Sequence, residues 1–252
     1  SDTKSNLKVI DVLKKKHPSP KPSVPSARIL VDVLPDLEDV QITSTYVEKF
    51  SRRMHGSAGP SGTDSEHWQN VLLRYGSHSG ALRDDVAALA TKICNQLIPW
   101  SQIRALMSVR LIGLDKCPGV RPIGIGECLR RIICKCVAEA TKGDLEESCG
   151  TDQLACGMKA GIEGAVHALT DIFAENKDEG SGMLLMDAAN AFNSLNRETA
   201  LWNDRVLWPR CSRFLFNTYR GYSALFVAGS KEIIFSKEGT TQGDPLAMLM
   251  YG

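Results

Sequence analysis

A short apolar run that ends in a carboxylate is the feature that most constrains the fold of this chain. Met183 to Met186 are apolar, Asp187 follows them, and the aromatic residue Phe192 comes five positions later. Such a run is typical of a buried strand, so the sequence predicts a strand over 182–187 with Asp187 at its end. Taken alone, Asp187 is better explained as a strand-end residue that makes a turn than as a catalytic group.

Composition permits a packed core. The chain has 252 residues with 43% hydrophobic content, which suits one large domain or two small ones. It has no apolar run of about 18 residues and no signal-peptide pattern, so we expect an intracellular protein that does not span a membrane. Its eight cysteines include no Cys-x-x-Cys pair, which favours reduced, mostly buried thiols.

The N-terminal segment differs in character from the rest. Residues 1–27 contain six lysines, two aspartates and four prolines, although the formal net charge of the whole chain is only +1. This composition predicts a flexible basic, proline-rich linker. The alternative is an arm that binds phosphate groups.

The remaining sequence alternates helical and strand patterns. Helical periodicity dominates 28–105, with a capping pattern at 63–66, and an amphipathic helix is predicted over 129–139. Two hairpins are predicted, one over 107–125 and one over 223–236. Further helices are predicted over 165–174, 196–208 and 212–219, with Asn196 as an N-cap. The fold class predicted is α+β.

The segment 184–193, Leu-Leu-Met-Asp-Ala-Ala-Asn-Ala-Phe-Asn, resembles the first palm motif of reverse transcriptases, and most closely that of retrotransposon-type polymerases. The resemblance implies that Asp187 is catalytic and binds Mg²⁺ in a two-metal site, which needs at least two carboxylates. It also implies that Phe192 contacts the sugar of a deoxynucleoside triphosphate. The other interpretation of Phe192 is a core residue.

A hairpin and a Gln-Gly turn extend the resemblance. Residues 114–125, with Lys116 and Arg121, are similar to the fingers hairpin of the same family, which implies that both cations bind the triphosphate. Otherwise they are two exposed hairpin residues. Residues 241–246 are similar to the second palm element, which implies that Gln242 and Gly243 contact the substrate, whereas Asp244 is expected to cap a helix.

Two weaker likenesses complete the order of motifs. Residues 59–64 resemble the loop that precedes the fingers, and 156–169 resemble the segment ahead of the palm, which suggests that Lys159 contacts the template. His167 in that segment is expected to be a buried core histidine. The matched motifs span about residues 56 to 252 in the family's order.

The resemblance implies a right-hand polymerase fold with a helical N-terminal region, a fingers hairpin with helices, and an incomplete palm sheet. The expected divisions are a linker at 1–27, a helical region at 28–105, fingers at 106–180 and a partial palm at 181–252. The implied partners are an RNA or DNA template with a primer and deoxynucleoside triphosphates. Oligomeric state stays open.

The aspartate pair that supplies the family's other metal ligands is missing from this sequence. We therefore expect a fragment of a longer product that is inactive as it stands, although its parent is an RNA-directed DNA polymerase. An RNA-dependent RNA polymerase is the enzymatic neighbour, but that class usually has a second acid where this chain has Phe192. The alternative from another class is a decayed or domesticated element that only binds nucleic acid or protein.

Overall fold

Four strands form one mixed sheet in the part of the chain that the computed structural model describes, residues 8–116, 119–150, 154, 160–176, 180 and 182–251. The strands are β1 (Val109–Asp115), β2 (Val120–Gly126), β3 (Ser223–Val227) and β4 (Ile233–Ser236), in the order β2-β1-β3-β4. The β1–β2 and β3–β4 pairs are antiparallel, and β1 runs parallel to β3. Both predicted hairpins are therefore confirmed, and they join through their first strands.

The described residues also form twelve α-helices. They are α1 (Val9–Lys16), α2 (Ser44–Arg52), α3 (Ser65–Leu73), α4 (Gly76–Asn95), α5 (Trp100–Ile103), α6 (Cys128–Ala140), α7 (Lys142–Cys149), α8 (Gly161–Glu175), α9 (Ala191–Ser194), α10 (Arg197–Leu207), α11 (Pro209–Tyr219) and α12 (Ala247–Tyr251). The mixture of helices with one sheet confirms the α+β class.

Local capping explains where two of the predicted helices begin. The Asp64 carboxylate accepts a hydrogen bond of 2.9 Å from the His67 amide, which starts α3 one residue later than the capping pattern predicted. Asn196 caps α10 as predicted, because its side-chain oxygen accepts from the Thr199 amide at 2.9 Å. Each contact satisfies an amide that a helix leaves unpaired in its first turn.

The apolar side chains form two clusters. The larger one lies between α2, α3, α4, α6 and α11, with Phe214 and Ile132 among its fully buried members. The smaller one covers one face of the sheet and includes Leu111, Leu225 and, from α1, Leu13. The sheet therefore has its own core, separate from that of the helices.

The structure differs from the prediction for the N-terminal segment. Within 8–27 the chain forms α1, and Leu13 is completely buried against the sheet. The three lysines at the end of this helix made the segment look polar in sequence. The helix is nevertheless amphipathic, because Val12 and Leu13 pack inward. Residues 28–43 are also not helical; they run over α10 and α4, with Val40 and Asn95 exchanging hydrogen bonds of 2.9 and 3.0 Å.

The predicted strand over 182–187 is wrong. These residues are not part of any strand, and Leu184, Leu185 and Met186 are 81%, 80% and 87% exposed. The physical reason is that no described strand pairs with this segment, so its apolar pattern has nothing to pack against. His167 is likewise exposed on α8 and not a core residue, because the surface of α8 is almost entirely uncovered.

Candidate functional site

One cavity brings together residues from four distant parts of the sequence. It has a volume of about 240 Å³ and opens beside the β1–β2 hairpin. Its lining includes five of the six described residues that the sequence predicted for substrate or metal, all except Gly243: Lys116, Arg121, Asp187, Phe192 and Gln242. It also includes one residue that the sequence did not single out for this site, Lys16 of α1.

The β1–β2 hairpin positions two of the cationic side chains of the cavity, Lys116 and Arg121. Arg121 pairs with Leu114 across the ladder, and Lys116 follows the end of β1. Side chains alternate along β2, so Arg121 is exposed while Val120 and Pro122 on either side are buried. Neither Lys116 nor Arg121 forms an ion pair with a described residue, which leaves both free to bind an anion.

A turn of asparagines holds the segment after Asp187. Asn190 adopts a left-handed conformation with φ of 56°, which asparagine tolerates better than most residues. Its side-chain amide donates to the Lys16 carbonyl at 2.9 Å, and its side-chain oxygen accepts from Asn193 at 3.1 Å. Neither asparagine was predicted to take part in the site, although the spacing Asn-x-x-Asn around Phe192 indicates a turn.

Phe192 is fixed through its backbone. Its carbonyl accepts from the Thr240 amide at 2.6 Å, and the Gly239 amide donates to the Leu195 carbonyl at 2.9 Å. Gly239 has a φ of 60°, and a Cβ atom there would lie 2.0 Å from the Phe192 carbonyl oxygen. The short segment 239–242 is therefore packed directly against the turn that carries Phe192.

Gly243 permits a second close approach. The Gln242 carbonyl accepts from the Gly124 amide of β2 at 2.8 Å. Gly243 has a φ of 113°, and a Cβ atom there would lie 2.4 Å from the Gly124 carbonyl oxygen. The close approach is thus between backbones of the same chain, and it attaches Gln242 to the hairpin. Gly243 itself does not line the cavity.

Asp244 points away from the cavity. Its carboxylate accepts from the Leu246 amide at 2.9 Å and forms an ion pair with Arg130 of α6. Burial by itself would lower the pKa of Arg130. Electrostatic interactions with the Asp244 carboxylate and with the Tyr219 side chain outweigh burial and raise that pKa above its usual range. Asp244 therefore has a structural role, but it caps the turn that precedes α12 and is not the N-cap of that helix, which begins three residues later at Ala247.

The metal-binding capacity of the cavity is limited to one carboxylate. Asp187 is the acidic residue among the lining side chains, and no group of three or more His, Cys, Asp or Glu side chains suited to a metal occurs among the described residues. One carboxylate together with substrate phosphates can hold a magnesium ion. Two metal ions need at least one more carboxylate, so the described residues do not complete a two-metal site.

Lys159, the predicted template contact, lies outside the described residues.

A comparison with protein-family models found no match, and a comparison with curated proteins found no significant match. Within the described residues, no helix is long and apolar enough to cross a membrane.

Proposed function

We propose that this chain is the fingers and part of the palm of an RNA-directed DNA polymerase, and that its cavity binds a deoxynucleoside triphosphate. One observation carries the proposal. The residues that resemble three separate polymerase motifs, including Arg121, Asp187 and Gln242, line the same cavity although they are far apart in sequence. A chance resemblance of separate motifs would not require them to meet.

The chemistry of the lining suits a nucleotide. Lys116 and Arg121 offer unpaired positive charges for a triphosphate, and arginine can bind two of its oxygens at once. Phe192 offers an apolar face for the sugar, and Gln242 offers amide groups that can donate and accept hydrogen bonds. The cavity therefore combines cationic, apolar and amide groups in one lining.

Magnesium enters this proposal as part of the substrate complex. Asp187 would be one ligand of an ion that the triphosphate also binds, an arrangement in which magnesium commonly occurs. Such an ion would neutralise phosphate charge. A two-metal transfer reaction would need a second carboxylate besides those that the described residues offer to the cavity.

Equilibrium binding of dATP in the presence of Mg²⁺ tests the proposal. Arg121→Ala should weaken binding about tenfold, because it removes a charge-assisted contact worth roughly 1.5 kcal/mol. Lys92→Ala is the matched control, since Lys92 is an exposed cation on α4 that does not line this cavity. Equal affinities for wild type, Arg121→Ala and Lys92→Ala would contradict the assignment of the cavity.

The reaction itself needs a primer, a template and a second carboxylate, which the described residues of the cavity do not provide. Primer extension should therefore be tested in a chain that supplies this carboxylate, with Mg²⁺ and deoxynucleoside triphosphates. There, Asp187→Ala should abolish primer extension, whereas Asp187→Ala with undiminished extension would remove Asp187 from the proposed catalytic role.

A further inference from the structure

We infer that Lys16, on the N-terminal helix, is a third phosphate-binding cation of this cavity. The inference rests on the proposed function and extends it to a part of the chain that carries no resemblance to the polymerase motifs. It assigns to α1 a role in substrate binding besides its role in covering the sheet.

The body of α1 is fixed against the hairpin. Leu13 is completely buried and Val12 is 8% exposed, and both belong to the apolar cluster on the sheet. Packing with β1 is close at Gly113, where a Cβ atom would lie 3.0 Å from Val9 and 3.8 Å from Leu13. The hairpin that carries Lys116 and Arg121 therefore also sets the position of α1.

The end of α1 is fixed to the other wall of the cavity. The Lys16 carbonyl accepts from the Asn190 side chain at 2.9 Å, and the His17 ring donates to the Leu13 carbonyl at 2.8 Å. Beyond the helix, the Lys21 amide donates to Glu238 at 2.8 Å. The backbone of Lys16 is thus attached on one side to the hairpin and on the other to the asparagine turn.

The three consecutive lysines at the end of α1 have different surroundings. Lys14 forms an ion pair of 3.1 Å with Glu232, and Lys15 is exposed to solvent. Lys16 is partly buried, lines the cavity, and forms no ion pair with a described residue. Only Lys16 of these three therefore faces the cavity, and its neighbour Lys15 provides a natural control of equal charge.

The ligand that fits three such cations is a polyphosphate. Lys16, Lys116 and Arg121 place three positive charges around a cavity in which Asp187 is the opposing carboxylate. A triphosphate carries enough negative charge to interact with all three, whereas a monophosphate does not. Lysine suits this task because its ammonium group is a compact charge with three donors.

Binding of inorganic triphosphate and of dATP, each with Mg²⁺, should be measured for wild type and for Lys16→Ala, Lys16→Arg and Lys15→Ala. We expect Lys16→Ala to weaken both ligands about 3- to 10-fold, less than a fully buried charge would. Lys16→Arg should stay within about threefold of wild type and Lys15→Ala within about twofold. The difference in affinity between the two alanine variants should shrink at high salt, because salt screens the attraction between a partly exposed cation and the phosphates.

The outcomes separate this inference from the proposed function. If wild type binds both ligands and the two alanine variants are equally affected, the inference about Lys16 is overturned and the proposed function stands. If Lys16→Ala is selectively impaired but dATP binds no better than inorganic triphosphate, Lys16 keeps its role and the nucleotide assignment fails. If wild type binds neither ligand, both fail.

Thermal unfolding of the variants serves as the control for folding. Unchanged unfolding midpoints of Lys16→Arg and Lys16→Ala show that the fold is retained. A Lys16→Ala variant that loses affinity only because it unfolds would overturn the inference.

Discussion

Arg130 and Asp244 form an ion pair in the interior, where both side chains are only 4% exposed. The pair links α6, which follows the hairpin, to the segment that carries Gln242. The Arg130 guanidinium also donates to the Met107 carbonyl at 3.3 Å and lies 5.6 Å from the centre of the Tyr219 ring. One buried contact therefore connects the helix that follows the hairpin to the segment whose Gln242 lines the cavity.

Removing one partner of this pair should destabilise the protein strongly. Asp244→Asn leaves the Arg130 charge buried without its counter-charge, and a loss of roughly 3–5 kcal/mol in the free energy of unfolding is expected. Urea unfolding measures this directly. The matched control is Glu232→Gln, which breaks the exposed pair between Glu232 and Lys14 and should cost less than about 1 kcal/mol. Similar losses for the two variants would show that burial of the Arg130 pair has no energetic consequence.

The local patterns of the sequence were sufficient for the hairpins and most helices. These patterns depend only on neighbouring residues. They are the alternation of buried and exposed side chains in 109–115 and 120–126, the glycine in the connection between those strands, and the helix caps at Asp64 and Asn196. The parallel pairing of β1 with β3 was not predictable from such patterns, because it joins segments about a hundred residues apart. For the same reason, α1 was missed: its burial depends on the hairpin, which comes much later in the chain.

Most residues of the candidate site could be predicted from the sequence, but the contacts that hold them in place could not. The types of residue at 116, 121, 187, 192 and 242 indicated their chemistry, whereas Lys16 and its attachment to the asparagine turn became evident only from contacts over long sequence distances. The strand predicted at 182–187 failed because an apolar run specifies burial only if a partner surface exists. Asp187 is therefore in the cavity without being at the end of a strand.

Gly243→Ala should displace the segment that carries Gln242. The new Cβ atom would lie 2.4 Å from the Gly124 carbonyl oxygen, and the φ of 113° is unfavourable for alanine. We expect a loss of about 1–3 kcal/mol in stability together with weaker dATP binding. Gly62→Ala is a control with a positive φ but no atom within 4 Å of the added carbon, so it should affect stability less and leave binding unchanged. Equal effects on binding would contradict the coupling of Gly243 to the cavity.

Phe192→Ala should reduce the preference for deoxynucleotides if Phe192 contacts the sugar. A smaller side chain leaves room for a ribose 2′-hydroxyl, so the ratio of ATP to dATP affinity should rise in the variant. Competition between the two nucleotides measures this ratio without any catalysis. Phe216→Ala is the control, because Phe216 is a half-exposed ring on α11 that lines a different cavity. An unchanged ratio in Phe192→Ala would separate Phe192 from sugar selection.

Asp204 should make stability depend on pH. Its side chain on α10 is buried, one of its carboxylate oxygens accepts no hydrogen bond from a described residue, and burial raises the pKa of Asp204 to about 8. The ordinary pKa is 3.8, so the folded state keeps a proton that the unfolded state releases between these values. The contribution of Asp204 to the free energy of unfolding therefore falls as pH rises from about 4 to about 8, and levels off above that range.

Asp204→Asn removes this titration. Relative to wild type, the variant should gain roughly 2 kcal/mol or more in stability between about pH 5 and pH 8, which urea unfolding at the two pH values detects. Asp85→Asn changes an exposed aspartate on α4 and should show no comparable gain. A difference between Asp204→Asn and wild type that is the same at both pH values would mean that Asp204 is ionised throughout this range.

The exposed apolar residues before Asp187 should promote self-association. Leu184 and Leu185 are 81% and 80% exposed, and their neighbours Met183 and Met186 in the same run of four apolar residues are exposed as well, at 51% and 87%. Contiguous exposed apolar surface of this kind favours aggregation. Replacing both leucines with glutamine removes apolar area from water contact in the folded monomer without disturbing a packed side chain.

The Leu184→Gln, Leu185→Gln double variant should therefore show a larger monomeric fraction by size-exclusion chromatography with light scattering, and an unchanged unfolding midpoint. Leu89→Gln is the control, because Leu89 is a 40% exposed leucine on α4 and lies apart from this run. It should leave the monomeric fraction as in wild type. A double variant that aggregates as much as wild type would place the cause elsewhere, whereas a lowered unfolding midpoint would mean that these leucines are packed in solution.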